Sequence, residues 1–336
     1  VNRSKILVGL IVVLVIGVAV AAVVLRGDLR CAGFAGPGVG AAELPPPATP
    51  GSLRIAHFNL RNFPLDERPE PPGSGYSRRT NICDLEQALG GLGAHVMGFA
   101  EVCDTRRFPP ILRRAGGGRP MRILFSADGG AAGQHLAVAW DGAALELVEG
   151  PIEVTGLVVK PGLRPGLAVR LRETAGSGRD LTVVVVHLDA GGEDVDHRLA
   201  QVRALADFIR GEAERTGDRD VVVLGDFNTV GGRGLAPLAE LGLVDAILAG
   251  AGVERLANAT GCSQFWEGPG EPDGLFRASL LDHVYLGGVR AAGPARSWLH
   301  CERLGCGELV SRPGAEDGTF FDVSDHCPVT FELATE

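Results

Sequence analysis

The sequence predicts an α/β protein whose sheets pack together beneath covering helices, and three observations predict it. Apolar runs such as Leu181–Val186 and Val221–Leu224 are continuous rather than alternating, as in strands buried on both faces. Between them, Val195–Arg215 sets Leu199, Val202, Leu205, Ala206, Ile209 and Ala213 on one helical face. The chain has 336 residues, 45% of them hydrophobic and 22% charged, enough for a large core and too apolar for wholesale disorder. Its 49 glycines follow no G-X-Y period, which excludes collagen.

The first element is apolar. Ile6 to Leu25 are twenty positions without a charge, close to the ~20 that cross a bilayer as a helix. Arg3 and Lys5 before it lean towards a cytoplasmic amino terminus. Ala19-Val20-Ala21 offers the rival reading, a cleaved signal peptide, but the run continues past that site, which favours an anchor. Either reading assigns residues 1–30 to export: a cell-membrane protein with an extracytoplasmic domain, or a secreted one. Residues 31–52, rich in Gly, Ala and Pro, read as a linker, and residues 53–336 as one folded domain. Seven cysteines suit an oxidising compartment; Cys83 with Cys103 is the pairing that sequence order favours, Cys262, Cys301, Cys306 and Cys327 pair among themselves, and Cys31 is the odd one. From residue 51 onward there are 28 basic and 39 acidic residues, a net −11, so no basic stripe for nucleic acid shows in the bulk charge.

Within the domain, Leu53–Leu60 reads as a strand, Thr80–Gly90 as a helix and His95–Ala100 as a short apolar strand. Ile123–Ser126, His135–Trp140, Leu145–Val148, Glu153–Val159 and Leu167–Arg172 suit consecutive antiparallel strands between Gly and Pro breaks. A short helix follows at Leu235–Leu241, and Leu280–Leu286 and Val329–Leu333 are late strands.

Chemistry collects where these runs end. His57-Phe58-Asn59, Ala100-Glu101, His187-Leu188-Asp189 and Gly225-Asp226-Phe227-Asn228 each follow an apolar run, and Asp282-His283 and Ser324-Asp325-His326 come late. So many strand-end clusters imply convergence on one polar crevice. Carboxylates and amides without thiolates favour a hard cation, Mg²⁺ with Mn²⁺ as the alternative, over zinc. No Walker A loop and no G-x-S-x-G stretch is present, so metal-assisted attack of water on a phosphoester is the chemistry this set serves best.

The ordered motifs VVVVHL at 183–188, VVLGDFN at 222–228, LLDHVYL at 280–286 and SDHCPVTF at 324–331, after Asn59 and Glu101, resemble the endonuclease/exonuclease/phosphatase superfamily, also called deoxyribonuclease-I-like. The resemblance spans about residues 53 to 334. It implies a four-layer α/β sandwich, two packed sheets flanked by helices, here preceded by the N-terminal hydrophobic helix. It also implies roles. Glu101 is the principal metal ligand, with Asn59 and Asp325 assisting. Asp226 orients or deprotonates the attacking water. Asn228 holds phosphate or that water, Asn59 contacts phosphate, and His187 and His326 bracket the scissile phosphate as protonated imidazoles. Asp282 orients His326. The sequence departs from the family pattern at Ala100, where Gln is frequent, at His95, where Asp is frequent, and in lacking a counterpart to a phosphate-contacting tyrosine.

These implied roles would make the chain a metal-dependent phosphodiesterase, with nucleic acid the expected substrate. A phospholipid such as sphingomyelin or a phosphoinositide is the alternative substrate, and a catalytically silent surface binding module is the alternative of another class. Residues 6–25 imply the membrane as a partner; nothing implies a protein partner. His57, His95, His197, His283 and His300 read as structural, a lone Asn59 or Asp189 as a turn former, and Phe265 and Trp266 as core.

Overall fold

Alternation along the first strand decides the layering. In β1 (Leu53–Phe63), Leu53 and Ile55 point to one side and Ala56, Phe58 and Leu60 to the other, and both sides are buried. A strand apolar on two faces needs a layer on each. The computed structural model describes residues 31, 39–64, 79–175, 178–229, 237–267, 274–310 and 317–334.

β1 is followed by α1 (Ile82–Leu92), β2 (Val96–Val102), α2 (Phe108–Ala115), β3 (Met121–Phe125) and β4 (His135–Asp141). Next come β5 (Leu145–Val154), β6 (Gly166–Glu173), β7 (Asp180–His187), α3 (Val195–Thr216), β8 (Val221–Asp226), α4 (Pro237–Ala249) and β9 (Glu254–Arg255). The last third holds β10 (Gln264–Trp266), β11 (Leu275–Ser279), β12 (Asp282–Gly287), β13 (Arg296–Ser297), α5 (His300–Leu304), β14 (Leu309–Val310), α6 (Gly318–Asp322) and β15 (Val329–Leu333).

Two six-stranded sheets result, ordered β13-β15-β1-β2-β4-β3 and β5-β6-β7-β8-β12-β9. Ile55, Val96, Val138, Val183, Val185, Val222, Leu224 and Phe331 fill the space between them. Leu85, Leu89 and Leu92 of α1 and Phe108 and Leu112 of α2 cover the outer face of the first sheet. Leu199, Val202, Leu205 and Ile209 of α3, with Val244 and Leu248 of α4, cover the second. These are the four layers that the family resemblance implies, each buried Val, Leu or Phe contributing about 1.5–3 kcal/mol. α1 starts on Asn81, whose side chain accepts from the Cys83 and Asp84 amides, and ends on Gly93 at φ 58°.

Some boundaries differ. Leu145–Val148 and the first two residues of Glu153–Val159 lie on one strand, β5, whose register shifts around Gly150-Pro151, and Thr155–Leu157 form a 3-10 turn instead of strand. β4 and β5, consecutive in sequence, lie in different sheets. α2 has no counterpart among the elements expected from the sequence. Residues upstream of β1 dock on the domain: the Leu299 amide donates to Glu43 O at 2.8 Å and Arg303 meets Glu43 at 3.0 Å. Cys262–Cys306 and Cys301–Cys327 are disulfides, as the late cysteines were expected to be. The Cys83–Cys103 pairing is not formed: Cys103 keeps its thiol, turned to Asn62 Oδ1 at 3.9 Å, whereas Cys83 is disulfide-bonded, and so is Cys31, read above as the odd cysteine. Among the described residues no helix is long and apolar enough to cross a membrane, and Ile6–Leu25 lies outside them.

Candidate active site

Strand direction brings the predicted residues to one edge. β1 and β2 run parallel, as do β7 and β8, so Asn59, Glu101, His187 and Asp226 all come at or near carboxyl ends. β12 is antiparallel to β8, which sets its first residue, Asp282, in register with Asp226. β15 is antiparallel to β1, so His326, three residues before it, reaches the same edge. Gly225 of the GDFN stretch is required there, because a Cβ on it would lie 2.0 Å from Val186 O.

Hydrogen bonds then join the two sheets. Asn59 Nδ2 donates to Asp226 Oδ2 at 3.0 Å and to Glu101 Oε1 at 3.2 Å, while Asn59 Oδ1 accepts the Arg61 amide at 3.0 Å. Glu101 Oε2 accepts the Asn62 amide at 2.8 Å. Asp226 Oδ1 accepts the Asn228 amide at 2.9 Å, and Asn228 Nδ2 donates to Leu188 O at 3.1 Å. His326 Nδ1 bonds Asp282 Oδ2 at 2.8 Å, leaving Nε2 3.6 Å from Asp226 Oδ2. His187 Nε2 lies 3.7 Å from both Glu101 Oε1 and Asp226 Oδ2. Arg61, Asn62, Glu101 and Asn228 all have φ between 46° and 61°. Each such residue stores on the order of 1 kcal/mol or more, and strain of this kind gathers at functional sites.

Charge is held uneasily here. Burial drives the Asp226 carboxyl up to about 7, although His326 pulls it down. Burial and the nearby Asp325 carboxylate raise Glu101. Burial would lower His326, yet Asp282 and Asp226 hold it well above its ordinary value, so it is an imidazolium. Burial, then Arg164 and His326, push His187 well below its ordinary value, so it is neutral. Burial, beside the Arg164 and His326 cations, thus works against the charge expected on His187 and leaves His326 the better placed of the two to carry one.

The residues fit a divalent cation. One ligand atom from each of Glu101, His187 and Asp226 lies within 4.8 Å of the others. Asp325 Oδ1 is buried without a hydrogen-bond partner. Four carboxylates (Glu101, Asp226, Asp282, Asp325) face two cationic side chains, Arg164 and His326, an excess that a doubly charged ion offsets. The oxygen-rich donor set suits Mg²⁺ or Mn²⁺. A second cluster, Asp189, Asp194 and His197, already surrounds a cation, since Lys160 Nζ lies 2.5 Å from Asp189 and 3.3 Å from Asp194.

Every predicted residue therefore comes to this edge. Asn59 turns its NH₂ rather than its oxygen to the centre, which suits a phosphate contact better than the ligand role also expected of it. Trp266, read as core, is 38% exposed, whereas Phe265 is fully buried. Sequence reasoning missed Arg164. It donates to Gln134 Oε1 at 2.5 Å and to His187 O at 3.4 Å, and its Nε is buried without a partner. Its only signal is an arginine between Gly162 and Pro165 just before a strand.

The sequence model of the Endonuclease/Exonuclease/phosphatase family matches residues 56–326. No curated protein matches significantly. The human Nocturnin catalytic domain with bound sulfate is similar in structure at TM-score 0.57 and 16% identity, over 85% of this chain and 95% of that one. D. rerio TDP2 complexed with single strand DNA product aligns at TM-score 0.52 and 15% identity, over 85% and 100%. A mannosyl-6-phosphatase of Bacteroides thetaiotaomicron VPI-5482 aligns at 0.53 and 17%, over 84% and 100%.

Proposed function

Because the chain belongs to the Endonuclease/Exonuclease/phosphatase family, whose members hydrolyse phosphoesters, we propose that it is a divalent-metal-dependent phosphodiesterase that cleaves nucleic-acid phosphodiester bonds with water. One observation carries this reading: Asn59, Glu101, His187, Asp226, Asp282 and His326, drawn from six strand ends, meet within hydrogen-bonding reach of a common centre.

The roles follow from the geometry. Asp226, with a pKa near neutrality, takes a proton from the attacking water, and the Asn228 amide on Oδ1 fixes its direction. The His326 imidazolium, oriented by Asp282, stabilises charge that develops on the phosphoryl oxygens as the water–phosphorus bond forms and the ester bond breaks. Asn59 Nδ2 and Arg164 add hydrogen-bond donors for the same oxygens. Glu101, with Asp325, would hold the cation, and such an ion would supply neutralisation of phosphate charge and polarisation of a phosphoryl oxygen.

Export and tethering through residues 6–25 belong to the same proposal. The disulfides Cys262–Cys306 and Cys301–Cys327, with Cys31 and Cys83 also disulfide-bonded, support an oxidising compartment. The apolar segment also favours a second reading of the substrate, a phospholipid headgroup ester, which a tethered enzyme meets at the bilayer.

The test is a panel. The purified chain is assayed on DNA, RNA, sphingomyelin, a phosphoinositide and a chromogenic phosphodiester, with Mg²⁺, with Mn²⁺ and with chelator. Cleavage of DNA or RNA that chelator abolishes supports the proposal; turnover confined to lipids selects the second reading. No turnover on any phosphoester, or wild-type turnover in His326→Ala, overturns both and leaves a binding module.

A further inference from the structure

Asp282 has two imidazole partners. His326 Nδ1 bonds Oδ2 at 2.8 Å, and His57 Nε2 bonds Oδ1 at 3.0 Å. His57 follows Ile55 by two residues on β1, so it projects into the same space between the sheets. It is 1% exposed, and its bond to Asp282 crosses from the first sheet to the second. Asp282 is thereby held at three points: its amide donates to Ser263 Oγ at 2.9 Å, and each carboxylate oxygen has one imidazole.

The free nitrogen of His57 tells its tautomer. Nδ1 is buried and has no hydrogen-bond partner. A proton there would leave an N–H orphaned in the core while Nε2 met a carboxylate as a bare acceptor. The proton is therefore on Nε2, donated to Asp282 Oδ1. An apolar side chain there would spare the unsatisfied nitrogen but leave the buried Asp282 Oδ1 without its imidazole donor, so what His57 contributes is that donor.

We propose that His57 is a positioning residue for phosphoester hydrolysis, the first member of a hydrogen-bonded chain His57–Asp282–His326 that locks the Asp282 carboxylate so that His326 presents Nε2 to the reacting phosphate. The inference rests on the hydrolase reading above. A carboxylate turns easily about its last torsion. Without a donor on Oδ1, Asp282 loses the second anchor that keeps Oδ2 facing His326. Outer partners of this kind commonly carry a large share of activity without touching substrate.

The test uses the full chain, a chromogenic phosphodiester and His57→Leu, His57→Gln, Asp282→Asn and the double variant His57→Leu/Asp282→Asn. His57→Leu lowers kcat by about 10–100-fold with KM unchanged. His57→Gln, which keeps an N–H for Oδ1, restores most of it. In the Asp282→Asn background His57→Leu costs nothing further. An equal loss in both backgrounds, or an unchanged kcat, overturns the proposal. A second arm needs no turnover: nitrogen-15 NMR of histidine-labelled protein. It should show His57 protonated at Nε2 and bare at Nδ1, with the His326 Nδ1–H signal lost in His57→Leu. His57 protonated at Nδ1, or a His326 signal indifferent to His57, sinks the chain even if the phosphoester reading itself fails.

Discussion

The β1–β15 pair carries ionised groups in opposite condition at its two ends. At one end Arg54 stands opposite Glu332, and Glu332 accepts from Arg54, Ser52 and Thr49. Partial burial would raise that carboxylate, but these donors hold it at about 2. At the other end β1 delivers Asn59 beside Asp226, whose carboxyl burial drives up to about 7. One end satisfies its charge and gains stability from it. The other gathers buried atoms without partners, Asp325 Oδ1, His187 Nδ1 and Arg164 Nε among them, and bends four residues into the left-handed region. A pair of strands can serve both purposes because the core between its ends supplies the binding energy that the reactive edge uses up.

The largest effect should separate the ends outright. Asp226→Asn removes the proton acceptor and is expected to lower kcat by roughly 10²–10⁴-fold. It also removes a buried charge, so the melting temperature should hold or rise. Steady-state rates beside a thermal melt check this; parallel loss of rate and stability would erase the contrast. Leu224→Ala probes the region in between. Leu224 is fully buried in the inter-sheet cluster, two residues before Asp226. Its truncation should cost about 2–5 kcal/mol in urea unfolding, with kcat per folded molecule little changed.

Arg164→Met sharpens the account of the reactive edge. The change keeps an apolar stem and deletes the guanidinium beside Glu101 and Asp226. A charge-assisted contact to phosphate predicts a loss on the order of tenfold in kcat/KM. An unchanged kcat/KM would make Arg164 a counter-charge for the carboxylates alone.

The same contrast explains what was legible. Continuous apolar runs betray doubly buried strands, and polar residues at their ends betray a crevice, so the layers and the set from Asn59 to His326 could be read along the chain. Arg164 could not, because its role depends on a Gly-Pro loop folding back over strands far away in sequence. His57 looked structural because alternation reveals the face it occupies but not Asp282, which waits across the gap in the other sheet. α2 opens Phe108-Pro109-Pro110, and prolines that a first turn tolerates hide a helix start in the sequence. Cys103 was misassigned for a similar reason: sequence order carries no information about where a thiol points.

The smallest effect belongs to the satisfied end. Glu332 has a folded value near 2 against an ordinary 4.5, so between those values the unfolded chain binds a proton that the folded chain refuses. Its contribution is complete above pH 4.5 and disappears as pH falls towards 2. Water screens this partly exposed pair, which limits the contribution to about 1 kcal/mol. Glu332→Gln should therefore unfold at slightly lower urea at neutral pH, match the wild type near pH 2, and leave kcat untouched. A difference that persists at the acid end would trace the effect to packing around Thr49 and Ser52 rather than to charge, and the two ends of the pair would no longer differ in kind.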